Sequence, residues 1–310
     1  MNMSVPQLIR KLTLHGVLPV GAVLNEFDSG YISNPPKAPL QAQWLAANQA
    51  YSSNPNPARS YLAPADMQPL QGVSASKVQG MLNRIRAYPP FDSHQIDILA
   101  VNVAKLVTPQ ITINQNRAQT RATLQPGMTM DQLFDVAFNP ASVPPVITRQ
   151  ILGLAQSGGA LMYTSDDEDV RLHHPPQHRQ VVTNLNDPQS LSLESACFSI
   201  GGGLQFAHAY AIRMDDGNTR LILANGIHRM YAIARAGYAS TPLAICNFSG
   251  PELPDPFVNL PKGMLLEPGA DPPLITDFMN QSIVMTIDYF RTLRTVRFNW
   301  NFEAYPTVVH

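Results

Sequence analysis

The apolar positions of this chain follow two rhythms, one of period near 3.6 and one of period 2. Residues 74–86 place Val78, Met81, Leu82 and Ile85 at i, i+3, i+4 and i+7, which predicts an amphipathic helix capped by Ser74 or Ser76. Residues 96–107 are apolar and β-branched and predict a strand. Residues 131–137 predict a short helix introduced by Thr129, and 146–156 another, closed by Ser157, Gly158 and Gly159. The clearest pattern follows. Residues 206–213 and 219–224 are strand-like around Asp215, Asp216, Gly217 and Asn218, and Asp-Gly between two apolar runs is a hairpin signal. Residues 227–236 predict a helix ended by Gly237, where left-handed backbone is needed, and 242–248 a further strand. Between 274 and 293 the spacing of Phe278, Ile283, Ile287, Phe290 and Leu293 predicts a C-terminal helix, with the aromatic tail 298–305 packing back.

One region fits neither rhythm. Residues 29–72 are rich in Pro, Asn, Gln and Ala, and prolines at that density interrupt helices and central strands alike. Trp44, Leu45, Tyr51, Tyr61 and Leu62 lie within it and disfavour pure disorder. The expectation is an irregular arm wrapped over the main body, with a short helix around 40–51.

Composition narrows the function classes. Of 310 residues 45% are hydrophobic, enough for a sizeable core. Lys and Arg number 21 against 22 Asp and Glu, so the net charge of −1 argues against DNA or an anionic membrane as partner. Only 14% of residues are charged, which points to surface covered by a partner or by another copy of the chain. No apolar run approaches the ~18 residues of a transmembrane helix. The mildly apolar 8–24 is interrupted by His15, Gly16 and Pro19 with no small-residue cleavage site after it, so no secretory signal is read and a cytoplasmic location is expected. Cys197 and Cys246 cannot build a disulfide scaffold or a zinc site of CxxC type; buried free thiols are expected, with one long-range disulfide as the alternative.

The chemistry concentrates in residues 221–236. A strand delivers Asn225 and Gly226 at a tight turn, and His228 and Arg229 enter on the first turn of the next helix. Glycine allows close approach to the backbone, the helix start offers N–H groups with partial positive charge, and Arg229 offers a planar fork for phosphate. His228 adds a donor or a proton carrier near neutral pH. The bland alternative is a helix start that Asn225 caps and where Arg229 pairs with a local carboxylate.

Here the chain resembles the ParB/sulfiredoxin superfamily, in Asn225, Gly226, His228, Arg229, Ala232, Gly237 and Pro242. A second echo, residues 101–110 with Asn116 and Arg117 beyond, is similar to the family's first box, a strand leading through a Pro-containing turn to a helix with a basic start. The two echoes frame roughly residues 99–248, about half the chain. The resemblance implies an α+β fold, a mixed sheet with surrounding helices, that binds nucleotides. Its members include CTP-dependent partition switches, ATP-dependent sulfinic-acid reductases, amino-acid kinases and nucleases. It implies a core over 91–250, an arm and helix over 1–90 packed on it, and a C-terminal helical extension over 251–310. Carried over by position, His228 and Arg229 become the candidate catalytic pair, and Asn225, Gly226, Gln110 and Arg117 the candidate nucleotide contacts. ATP, ADP or CTP with Mg²⁺ would be the ligand, and a small molecule or a protein the acceptor.

Three departures bear on activity. Ile227 stands where sulfiredoxins carry their reactive cysteine, so a thiol nucleophile is missing. Residues 250–269 are Pro-rich with few positive charges, unlike a centromere-binding segment, so specific DNA binding is disfavoured. Gln110 stands where the family's kinases use a glutamate, and an amide cannot act as a base. The favoured reading is a protein that binds nucleotide phosphates, with phosphoryl transfer or phosphohydrolysis as the reaction it would run. The alternatives are a nuclease of the same superfamily and a non-enzymatic assembly protein that retains the fold.

Other polar clusters carry two readings each. The acidic residues 166–169, followed by His173, His174 and His178, have metal-ligand chemistry but equally suit an exposed acidic loop. Asp215 and Asp216 are further metal candidates. Residues 201–203 form a Gly triplet without the Lys-Ser/Thr of a P-loop, which favours a flexible turn. His208 on a predicted strand is a core histidine unless it faces His228, and Arg117 and Arg121 are phosphate contacts or a solvated helix face.

Overall fold

The computed structural model describes residues 8–18, 37–87, 91, 95–122, 124–138, 147–155, 158–165, 170–173, 199–202, 206–248, 260–290 and 294–301. The strands are β1 (Leu8–Thr13), β2 (Met67–Pro69), β3 (Ile96–Asn102), β4 (Leu106–Val107), β5 (Thr112–Asn114), β6 (Ile147–Ala155), β7 (Gly158–Ser165), β8 (Val170–His173) and β9 (Ser199–Gly202). They continue with β10 (His208–Arg213), β11 (Thr219–Asn225), β12 (Ser240–Phe248), β13 (Met285–Phe290) and β14 (Arg294–Asn301). The helices are α1 (Lys37–Ser52), α2 (Ala75–Arg86), α3 (Gln115–Arg121), α4 (Met130–Phe138), α5 (Ile227–Arg235) and α6 (Lys262–Leu266). The fold class is α+β, as expected. Among the described residues no helix is long and apolar enough to cross a membrane.

The chain divides into two compact units, one from residues 1–142 and 204–291, the other from 143–203 and 292–310. The first is built on a six-stranded mixed sheet of order β2-β3-β12-β10-β11-β4. Within it β10 and β12 run parallel, as do β11 and β4, while the remaining neighbours are antiparallel. The central strands are buried along most of their length: β10 from His208 to Ile212, and β11 from Arg220 to Leu223. Such continuous burial marks a sheet covered on both faces. Helix α4 packs on β12, α2 on β3, and α5 against α3, β5 and the 3₁₀ turn Ile275–Met279. A second sheet of this unit, β13-β1-β5, is antiparallel throughout. The other unit holds the antiparallel sheet β14-β7-β6 and the pair β8-β9.

Local signals explain several elements. Ser74 caps α2, its Oγ accepting from the Lys77 N–H at 3.3 Å. Thr129 and Gln132 form a reciprocal capping box at the start of α4, where Thr129 Oγ1 accepts from the Gln132 N–H and Gln132 Oε1 from the Thr129 N–H. The β10–β11 hairpin turns at Gly217 (φ +82°), with the Asn218 N–H donating to Asp216 Oδ1 at 2.9 Å. Gly237 follows α5 with φ +85°, as its position predicted. In the Pro-rich region α1 forms with Pro39 in its first turn, where proline is tolerated, and Trp44 is buried.

Two predicted helices are strands. Residues 147–155 form β6, and the glycines read as a helix stop begin its hairpin partner, since Ala155 pairs with Gly158. The spacing of Ile147, Ile151 and Leu154 suits a helix, but Gly153 and the β-branched Ile147, Thr148 and Ile151 favour extended backbone. The C-terminal helix expected over 274–293 is likewise replaced by the 3₁₀ turn Ile275–Met279 and β13, and β14 follows beyond it. In β13 the buried Ile287 and Tyr289 flank Asp288, whose Oδ1 accepts from Arg10 Nε at 3.1 Å. That alternation is period 2, and the i, i+4 match of Ile283 and Ile287 is incidental. Residues 96–107, read as one strand, are two, separated by the 3₁₀ turn Val103–Lys105 that Asn102 caps.

Candidate functional site

The turn between β11 and α5 is built around one glycine. Gly226 has φ +94° and ψ 16°, left-handed backbone that residues with a Cβ rarely adopt. A Cβ there would stand 2.7 Å from Ala207 Cβ, so glycine is demanded by space as well as by dihedral. Asn225 precedes the N-cap position, which Gly226 occupies. The Asn225 Nδ2 donates to the Phe206 carbonyl at 2.7 Å and ties β11 to the start of β10. The N-cap position, Gly226, supplies no side-chain acceptor to the first turn.

His228 and Arg229 enter on this turn and diverge. Residues one apart on a helix point about 100° apart, so adjacent side chains meet different surroundings. His228 is half-buried, and its Nε2 accepts from the Asn114 N–H at 3.1 Å. A backbone N–H can only donate, so Nε2 is unprotonated and the neutral ring carries its proton on Nδ1. Asn114 is also the cap of α3, its Oδ1 accepting from the Arg117 N–H at 3.1 Å. One asparagine thereby joins the imidazole to the helix that carries Arg117, itself half-buried.

Arg229 is only 3% exposed, and its Nη1 donates to the Ala137 carbonyl. That carbonyl lies in the last turn of α4, where backbone oxygens lack intrahelical partners and a cation is favoured by the helix dipole. The Ala207 N–H donates to the same oxygen at 3.0 Å. The expectation that Arg229 offers its fork to an incoming phosphate is therefore corrected. The guanidinium is held inside the fold, where it ties the end of α4 to the start of α5.

The remaining candidates separate. Gln110 is half-buried in a turn where Thr108 Oγ1 donates to its carbonyl at 2.9 Å and accepts from its N–H at 3.2 Å, and it shares no described hydrogen bond with residues 225–229. His208 is 4% exposed among Phe91, Phe206 and Tyr210, with ring centroids 5.0, 5.3 and 5.7 Å away, a core histidine rather than a partner of His228. Asp216 is engaged by Asn218 and Tyr61. Gly201 and Gly202 belong to β9, paired with Arg171 and Val170, and form no turn. Residues 166–169, His174, His178 and Cys197 lie outside the described residues. Among the described residues no three His, Cys, Asp or Glu side chains converge to hold a metal ion. Cys246 is buried, and desolvation pushes its thiol up to about 11, which makes it a poor nucleophile.

The open space lies further along α5. His228, Tyr231, Ala232 and Arg235 follow at i, i+3, i+4 and i+7 and share one face of the helix. A cavity of about 440 Å³ runs between this face and Ala118, Gln119 and Ala122 of α3 and its end. A second, of about 520 Å³, is bounded by Gln115, Tyr231, Arg235 and the turn carrying Phe278. Neither is lined by any of residues 225–229. Tyr231 and Arg235 were not among the predicted site residues, although their spacing from His228 was a usable signal. Comparisons with protein-family models, with curated proteins and with solved structures return no match for this chain.

Proposed function

We infer that this protein binds the phosphate groups of a nucleotide at the start of α5. The reading rests on one observation: a nine-residue helix begins at a left-handed glycine, an N-cap position that supplies no side-chain acceptor. Uncapped first-turn N–H groups and the positive end of the helix dipole favour an anion. His228 would donate from Nδ1 to a phosphate oxygen, because Nε2 is committed to Asn114. Arg117, on the helix that Asn114 caps, would add positive charge. Asn225 and Arg229 would act as positioning residues, fixing the turn against Phe206 and Ala137.

ATP, ADP and CTP are the ligands of first choice, with Mg²⁺ entering on their phosphates. The described residues offer no cage of three protein ligands, and Mg²⁺ in such complexes commonly keeps its waters and phosphate oxygens. Calorimetric titration of each nucleotide with Mg²⁺ is the test. Saturable binding to the native chain is expected, weakened roughly tenfold in His228→Ala, the size of one hydrogen bond to a charged group. No heat change at millimolar nucleotide, or equal affinity in His228→Ala, overturns the reading. Phosphate release in the same samples decides whether binding leads to phosphoryl transfer.

A further inference from the structure

The two cavities beside α5 share a single cation and have no acidic residue in their walls. Tyr231 and Arg235 line both. Small side chains keep the first open, since Ala118, Ala122 and Ala232 stand where α3 and α5 face each other. In the larger cavity Leu12, Phe278 and Val284 supply apolar wall, and Gln115 and Gln281 supply amides. Tyr231 and Phe278 meet edge to face with centroids 6.1 Å apart, which makes that wall rigid. Its volume of about 520 Å³ falls within the range of about 300–1,000 Å³ common for small-ligand sites.

Arg235 is exposed, and among the described residues no carboxylate pairs with it. The other guanidiniums detailed in this unit, those of Arg10, Arg59, Arg220 and Arg229, are bonded to carboxylates or carbonyls. An exposed cation beside a partly apolar wall suits a ligand with one negative head and a hydrophobic body. A neutral guest would gain nothing from the guanidinium, and a small polar anion nothing from the apolar part of the wall. The planar fork of arginine fits a carboxylate in a bidentate manner.

We propose that the cleft between α3, α5 and the turn Ile275–Met279 binds an organic monocarboxylate, with its head on Arg235 and its apolar body against Leu12, Phe278 and Val284. The site is separate from the start of α5. Seven residues of helix put Arg235 about 10 Å from His228, at about 1.5 Å rise per residue.

Octanoate is the probe, with octanol as body without charge and acetate as charge without body. Calorimetry on the full chain is expected to show saturable binding of octanoate, with octanol and acetate at least roughly tenfold weaker. Arg235→Gln should lower octanoate affinity roughly tenfold, to the level of octanol, and Arg235→Glu should abolish it. Both variants change an exposed position, and an unaltered melting temperature verifies their fold. Nucleotide titrations should be unchanged in Arg235→Gln, so loss of one ligand and retention of the other tells the two sites apart. Equal binding of octanol and octanoate, equal affinity in Arg235→Gln, or no saturable octanoate binding at millimolar concentration overturns the proposal.

Discussion

Two regions of the larger unit use the same side chain for opposite ends. Around the arm 57–62 and the segment 260–277, Arg220 is buried and Arg59 half-buried, and acceptors from the fold hold both. Arg220 is fully buried and donates to the carbonyls of Leu265, Glu267 and Ala270 at 2.8, 3.1 and 2.6 Å. Arg59 binds Asp271 and Asp277, both at 2.6 Å, and the Pro272 carbonyl at 3.2 Å. Tyr51 Oη donates to the Asp271 carbonyl, and burial pushes that phenol above its ordinary range, so it remains a donor. On the α3–α5 face Arg235 stands beside open space. The 3₁₀ turn Ile275–Met279 belongs to both regions, with Asp277 turned to the clamp and Phe278 to the cleft. A guanidinium that arrives with its acceptors holds the fold, and one that arrives without them stays open to solvent or to a ligand.

Removing the arginines held by these acceptors breaks that contrast most severely. Arg220→Ala would strand one buried and two part-buried carbonyls and open a void against Tyr61, so a loss of about 4 kcal/mol is expected in urea denaturation. A shift below about 1 kcal/mol would mean the clamp does not hold segment 260–270 to β11. Gly226→Ala lies between the two regions. Its left-handed dihedral and the 2.7 Å approach to Ala207 together predict a loss of about 3 kcal/mol, read as a fall in the denaturation midpoint. Arg59→Ala, whose side chain is 26% exposed, should cost less, about 2 kcal/mol, with Asp277→Asn retaining part of it.

The smallest effect is a titration. His15 packs beside α1 on the clamped side, 4% exposed, and burial lowers its pKa below the usual 6.5. The unfolded chain therefore binds the proton more readily than the native one. Stability from this group is present above about pH 6.5 and declines as acidification proceeds toward the lower native value. Denaturation midpoints at successive pH values should fall by up to about 1.4 kcal/mol per pH unit in that window. His15→Asn should flatten the slope, and an unchanged slope would remove His15 as its source.

Legibility followed the range over which each feature is encoded. The hairpin 208–225, the turn at Gly226, α5 and its stop at Gly237 were readable because each rests on a few neighbouring residues. Helix α2 and its Ser74 cap were readable for the same reason. Strands β6 and β13 were misread because short apolar runs satisfy both periods, and the partner of β13 lies far off in the chain: it is paired by β1, some 276 residues earlier in sequence. At the candidate site, the position of His228 on the first turn of α5 was legible and its bond to Asn114 was not. Arg229 was misassigned because its acceptor, Ala137, is 92 residues away.

The sequence alone determined the geometry of the bend that opens α5, since dihedral preference and hydrophobic period act within about a dozen residues, and its resemblance to a known superfamily implied the α+β class. Only the tertiary structure decided which arginine is cement and which is left uncompensated. A guanidinium's role depends on the carbonyls and carboxylates that distant segments bring within about 3 Å, and no local pattern carries that information.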